Sequence, residues 1–436
     1  DLFMEKVVNN EDWYLMDPGE CPGLNDVYGE EYKALYNKYV EEKKYRKSVK
    51  AQEIWKHIAA SQIETGTPYI LYKDHINNKS NQKNVGTIKS SNLCAEILEY
   101  SDSSEYAVCT LASMGLPKYV EKDENGTTFF NHKKLGEMIE IVVKNLNRVI
   151  DINFYPVPET KRSNMRHRPM GIGVQGLADV FALMRLEFES DEALNLNQDI
   201  FETMYYYSIK ASCELSKKDG PYETFAGSPM SEGKFQFDMW GVTPRNVNKY
   251  DWDSLRKDIR ENGIRNSLLI ACMPTASTSQ ILGNNECIEP FTSNIYSRRT
   301  IAGDFVILNK HLIKDLTDLG IWSEELKNMI IRNNGSIQNI DIIPENIKRL
   351  YKIVWEMKQK SIIKMAVARA PFVCQTQSMN LFFEEPNTNV LISSSIYAWK
   401  EGLKTGSYYI RSRPKIQAQQ FTIDPSKEDE CEMCSG

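Results

Sequence analysis

Pro169-Met170-Gly171-Ile172-Gly173-Val174-Gln175-Gly176-Leu177-Ala178-Asp179 is the stretch on which the reading of the fold turns. Its glycines at 171, 173 and 176 have the GxGxxG spacing of a dinucleotide-binding turn. Such a turn needs an apolar strand in front of it, so that the chain leaves a sheet and enters a helix over the pyrophosphate. Here the preceding segment, Lys161 to Met170, is basic and has prolines close by. The stretch is therefore not read as a dinucleotide fingerprint. Its glycines are read as places where backbone packs tightly against its neighbours.

Working outward, Lys133 to Asp151 carries Leu135, Met138, Ile139, Val142, Val143, Leu146, Val149 and Ile150 at helical spacing. Ser190 to Asp219 reads as a second helix, capped by Ser190 and stopped by Gly220-Pro221. Glu345 to Ala370 reads as a third long helical stretch, ended by Pro371. Strand-like runs lie between the helices, at Tyr106 to Ala112, Ser267 to Met273 and Val390 to Trp399. Strands alternating with helices point to an α/β fold. No linker divides residues 1–423, which are read as one domain. From Asp424 the chain offers little apolar surface to bury, so 424–436 reads as a flexible tail.

Of the 436 residues, 41% are apolar and 26% charged, the usual globular mixture. A net charge of −6 argues against a general nucleic-acid binder, which needs a basic face. No run approaches the roughly 18 apolar residues of a membrane span. The opening Asp1-Leu2-Phe3-Met4-Glu5-Lys6 is not a secretory signal. Nine irregularly spaced cysteines without such a signal read as mostly reduced thiols in the cytoplasm. The chain opens without Met inside an amphipathic pattern, which reads as a cut in something longer.

Five segments could carry chemistry. If Ser91 to Ile97 is extended, Asn92, Cys94 and Glu96 face one way, while Leu93, Ala95 and Ile97 face the other. An amide, a thiol and a carboxylate sharing one space suit sulfur chemistry with proton movement. The same pattern also fits a merely buried cysteine. Cys109, in an apolar run, reads as part of a core strand. Met273 to Gly283 holds Thr275, Ala276, Ser277 and Thr278 where a strand runs into a helix. That is either an anion site or a plain helix cap. Tyr408-Tyr409 alone says little. Cys431-x-x-Cys434, in a polar tail with no second ligand pair, reads as a redox arm and not as a zinc site. His167 reads as a loop histidine without a partner.

Taken together, Ser91 to Glu99, Asn145 to Pro158, Arg166 to Asp179, Met273 to Arg299, Gln375 to Asn380 and Trp399 to Arg413 resemble the large subunit of eukaryotic-type class I ribonucleotide reductase. So does the Cys-x-x-Cys end. The resemblance implies the second half of a ten-stranded α/β barrel with a finger loop, helical decorations and a flexible tail. It implies that Cys94 becomes a thiyl radical, that Glu96 and Asn92 serve the ribose 3′ hydroxyl, and that Cys109 is one of two reducing cysteines. It implies that Thr275, Ala276, Ser277 and Thr278 hold the diphosphate of a ribonucleoside diphosphate. Tyr408 and Tyr409 would relay the radical from a metal-containing small subunit. Cys431 and Cys434 would bring electrons from thioredoxin or glutaredoxin. No cofactor or metal is expected on the chain itself. The mate of Cys109, the effector site and an ATP cone belong to an N-terminal half in the family. Cys21 does not match the missing strand, so a separate N-terminal half is an expected partner, with activity expected only in its presence. Two other readings are a non-catalytic remnant that docks the small subunit and a thiol–disulfide oxidoreductase acting through Cys431 and Cys434. Intact Asn92, Cys94, Glu96 and Tyr408-Tyr409 speak against the first, and the polar setting of the tail pair against the second.

Overall fold

The computed structural model describes residues 1–413, a mixed α/β arrangement in which helices and short strands alternate. Its centre is a parallel wall. Leu111–Gly115 pairs with Gly171–Gln175 from Leu111 opposite Gly171 to Gly115 opposite Gln175. Ile172 bridges Ile270, and Cys272 bridges Gln377, both in parallel. Backbone bonds extend these contacts: Met170 N to Leu268 O at 3.0 Å, Ala271 N to Ile172 O at 3.2 Å and Gln375 N to Ile270 O at 3.1 Å. Leu381–Phe383 then runs parallel to Ile410–Ser412, and Thr405–Ser407 lies antiparallel to Ile70–Leu71. Parallel neighbours need crossovers, and helices provide them. His132–Ile152 lies between the first two segments, Asp191–Asp219 before the third and Gln359–Arg369 before the fourth.

The glycine-rich stretch is a strand in which all five residues from Gly171 to Gln175 are buried. It is the backbone packing expected of it. A Cβ on Gly173 would lie 2.6 Å from Ala271 O, one on Gly171 2.7 Å from Leu111, and one on Gly176 2.7 Å from Pro117. His132–Ile152 buries Leu135, Ile139, Val143, Leu146 and Ile150, with Met138 and Val149 on its more exposed flank. Ser190 caps Asp191–Asp219 by accepting from Ala193 N at 3.1 Å. A second, smaller core gathers Leu312, Leu316, Ile330, Ile337 and Ile347. Among the described residues no helix is long and apolar enough to cross a membrane.

Three expectations are corrected. Val390 to Trp399 is helical, within Thr388–Lys400. Its β-branched residues suggest a strand, but Asn387 caps Val390 N at 3.0 Å and the buried face is Leu391, Ser395 and Ala398, a helical spacing. The stretch 345–370 is not one helix. It divides into Glu345–Leu350, a 3₁₀ turn at Val354–Glu356, and Gln359–Arg369. Glu356 caps Ile353 N at 2.8 Å and ends the continuity. Finally, the run at 106–112 enters the ladder only at Leu111, because Tyr106 N bonds Glu159 O across to another segment. The tail 424–436 lies outside the described residues.

Gly173→Ala should test the wall directly. The added methyl meets a backbone oxygen that cannot rotate away, so we expect a loss of about 1–3 kcal/mol in urea unfolding.

Candidate active site

Residues 91–97 form a turn, not the extended segment expected from the sequence. Ala95 has φ +61° and its N–H donates to Asn92 O at 3.2 Å. The Asn92 side chain closes the turn. Its Oδ1 accepts from Glu96 N and Ile97 N, both at 3.1 Å, and its Nδ2 donates to Glu96 Oε2 at 2.9 Å. The amide and carboxylate therefore meet because the chain folds back, not by strand alternation. Leu93 is left 79% exposed at the tip, while Ala95 and Ile97 are buried. Cys94 is half-buried and within hydrogen-bonding reach of the Tyr408 hydroxyl.

Neighbouring segments grip this finger. Ser378 Oγ donates to Cys94 O at 2.6 Å and lies 3.3 Å from Glu96 Oε2. Thr405 Oγ1 donates to Ala95 O at 3.1 Å, and Thr376 N to Glu96 O at 3.1 Å. Gln375 Oε1 accepts from Leu98 N at 2.8 Å. Behind these, buried Lys404 donates to Cys374 O at 2.7 Å and Gln375 O at 3.0 Å. Burial lowers its ammonium to about 7. Burial also pushes the Glu96 carboxyl up, while bonds from Asn92, its own amide and Ser378 pull it back.

Tyr408 and Tyr409 have ring centroids 4.5 Å apart, and Tyr69 packs on both at 4.7 and 5.0 Å. Desolvation, followed by its hydrogen bond to Tyr409, pushes the Tyr69 hydroxyl up to about 12. Burial and the bond to Cys94 push Tyr408 higher still. The Arg411 guanidinium sits 4.5 Å over the Tyr409 ring. Sequence reasoning missed Tyr69. It reaches the pair only because Ile70–Leu71 zips onto Thr405–Ser407 across more than 300 residues of chain.

Cys109 is not in a core strand. It is exposed, just before Leu111–Gly115. Desolvation on its inner side, then the negative groups Glu99, Glu96 and Cys94, push its thiol up to about 12. It therefore shares the space around the finger. Thr275 has φ +57°, and its hydroxyl is already engaged by Cys287 N at 2.8 Å. Ala276, Ser277 and Thr278 are exposed, and among the described residues their amides meet no hydrogen-bond acceptor. Thr278 Oγ1 lies 3.4 Å from Ser113 Oγ. This turn stands at the carboxyl end of the parallel wall, where α/β sheets take ligands. Among the described residues no hydrogen bond joins it to the finger. His167, expected to lack partners, is buried with Nε2 3.1 Å from Glu105 Oε2 and Nδ1 2.8 Å from Thr224 Oγ1. It braces the loop. Cys431 and Cys434 lie outside the described residues.

The fold and site define an α/β barrel-type domain built around an inward turn that carries a cysteine. The sequence pattern of the ribonucleotide reductase barrel domain matches residues 1–409. The chain belongs to that family. It is 54% identical over 453 positions to the ribonucleoside-diphosphate reductase large subunit of Caenorhabditis elegans, covering all of this chain and 57% of that protein. The large chain of Cryptosporidium parvum is 56% identical over 424 positions, 97% of this chain and 52% of that one. The variola virus large subunit is 51% identical over 444 positions, all of this chain and 56% of that one. The chain thus spans about half the length of the curated relatives it matches.

Two outcomes follow from this geometry. Ser378→Ala strips a donor from the Cys94 carbonyl and should cost about 1–3 kcal/mol, with faster amide hydrogen exchange confined to residues 91–98. Lys404 has a folded-state value near 7 against 10.5 when free, so the folded state binds fewer protons between those values. Stability relative to Lys404→Met should rise with pH across that window, as read from urea midpoints at several pH values.

Proposed function

We propose that this chain carries the catalytic barrel portion of a ribonucleoside-diphosphate reductase, which reduces ribonucleoside diphosphates to deoxyribonucleoside diphosphates for DNA synthesis. The observation that carries the reading is the contact of Cys94 with Tyr408, and of Tyr408 with Tyr409 and Tyr69. A cysteine that must be oxidised by one electron from a distance needs such a line of redox-capable side chains. Cys94 as a thiyl radical takes the hydrogen from the ribose 3′ carbon. Glu96, as the carboxylate whose basicity burial raises, accepts the 3′ hydroxyl proton, and Asn92 orients both. Cys109 gives reducing equivalents at the 2′ position.

The free amides at Ala276, Ser277 and Thr278 hold the diphosphate, with Thr275 shaping the turn. The radical comes from a metal-containing small subunit through Tyr409 and Tyr408. Cys431 and Cys434 renew the active-site thiols with electrons from thioredoxin or glutaredoxin. The portion that the relatives carry outside the matched half completes the site, on this polypeptide or on another. Free thiols at Cys94, Cys109 and the buried cysteines suit a reducing compartment such as the cytoplasm.

The test is deoxynucleotide formation with that portion, a small subunit and a dithiol reductant present. Cys94→Ser should fall to background. Tyr408→Phe and Tyr409→Phe should do the same while substrate affinity changes less than about threefold, since each loses only a hydroxyl. Replacing Cys431 and Cys434 by Ser should spare a single turnover and stop later ones. Substantial turnover by Cys94→Ser would sink the reading.

A further inference from the structure

Tyr408 and Tyr409 are adjacent, yet their main chains are held differently. Tyr408 N donates to the main-chain carbonyl of Met379 at 2.8 Å, and Tyr409 O accepts from Leu381 N at 3.1 Å. Tyr409 N instead donates to a side chain, Asn380 Oδ1, at 3.2 Å. Asn380 is buried, and the other end of its amide, Nδ2, donates to Glu289 Oε1. The amide fits one way round only, because flipped it would set its NH2 against the Tyr409 N–H.

Glu289 is anchored in turn. Its main-chain oxygen accepts from Asn285 Nδ2 at 2.7 Å. Asn285 N donates to Asp179 Oδ2 at 2.7 Å, and Asn285 O accepts from Gly176 N at 2.9 Å. Gly176 and Asp179 belong to the glycine-rich stretch and the helix that follows it. A line of hydrogen bonds therefore runs from the end of the wall through Asn285, Glu289 and Asn380 to the Tyr409 main chain. Burial pushes the Glu289 carboxyl up to about 7, against the pull of the Asn380 bond. Its oxygen accepts from Asn380 in either form, so the line does not depend on that proton.

We propose that Asn380 is a positioning residue for the radical relay, locking the Tyr409 main chain to Glu289 and through it to the wall. This rests on the reading of Tyr408 and Tyr409 as that relay. The two rings lie 4.5 Å apart between centroids, and the Arg411 guanidinium sits 4.5 Å over the Tyr409 ring. Both distances depend on where the Tyr409 main chain stands. Since a side chain and not a backbone carbonyl accepts from its N–H, that place is set by Asn380 and by what holds Asn380. A misplacement of about 1 Å can slow a chemical step by roughly a hundredfold, so the brace bears on turnover without touching substrate.

The experiment has two arms. In the first, amide hydrogen exchange at Tyr409 is read in the full chain by mass spectrometry with single-residue fragmentation. Asn380→Ala removes the acceptor, and Glu289→Ala removes only the anchor behind it. Both should speed exchange at Tyr409 by roughly tenfold, while Glu289→Gln, which keeps an oxygen acceptor, stays within about twofold of the parent. Unchanged exchange at Tyr409 in Glu289→Ala overturns the proposal, and so does exchange quickened throughout the wall, the mark of a general loss of fold. In the second arm, nucleotide reduction is measured in the completed assembly with small subunit and dithiol. Asn380→Ala and Glu289→Ala should each lower kcat by roughly ten- to a hundredfold with KM within about twofold of the parent. The double variant should be no slower than the slower single one, because the two residues act through one line. Normal kcat in either single variant, or losses that multiply in the double, overturns the proposal. An inactive parent would sink the reductase reading and this proposal together, whereas an active parent with unaffected variants would sink this proposal alone.

Discussion

A loop that enters the interior of an α/β domain must find partners there for its amides and carbonyls, since water cannot serve them. The rest of this site depends on how residues 91–98 meet that demand. Asn92 satisfies part of it from within, taking the Glu96 and Ile97 amides on one side-chain oxygen. The remainder is met from outside, by Ser378, Thr405, Thr376 and Gln375. The cysteine carbonyl, the alanine carbonyl and the glutamate carbonyl each have their own donor. The position of the Cys94 sulfur follows from these bonds.

The same grip joins the finger to the tyrosines. Thr405 holds Ala95 and stands three residues before Tyr408. Ser378 holds Cys94 and stands one residue before Met379, whose carbonyl accepts from Tyr408 N at 2.8 Å. Asn380 continues the pattern, accepting from Tyr409 N at 3.2 Å. Two neighbouring segments, 378–380 and 405–409, therefore carry both ends of the contact between sulfur and phenol. Movement of one relative to the other would break main-chain bonds before it lengthened that contact.

Burial gives the site its electrostatic character. Glu96, Glu99 and Cys109 are all pushed up, and Lys404 is pushed down, with desolvation the leading cause in each case. Burial thus disfavours the charged form of each of these groups. The wall stays dry partly because Gly171 and Gly173 let strands close on one another with no side chain between them.

Much of this was legible in the chain itself. The apolar stripe of 132–152 and the Ser190 cap are local patterns, and local patterns are written in consecutive residues, whereas Asn92 meets Glu96 through a turn that was read as extended chain. The tight backbone packing of the glycines was legible for the same reason, although the strand they form was not. The helix at 388–400 was misread because the propensity of valine and isoleucine is weaker than a cap and a buried face. Tyr69, the exposure of Cys109 and the partners of His167 were not legible. Each depends on a segment far away in sequence: Thr405–Ser407, the strand Gly171–Gln175 whose pairing begins only at Leu111, and Glu105 with Thr224. The sequence by itself determined which residue types stand together within a few positions, since bond geometry ties neighbours to one another. Only the tertiary structure decided which distant groups share their space, because strand pairing and burial are settled by the whole chain at once.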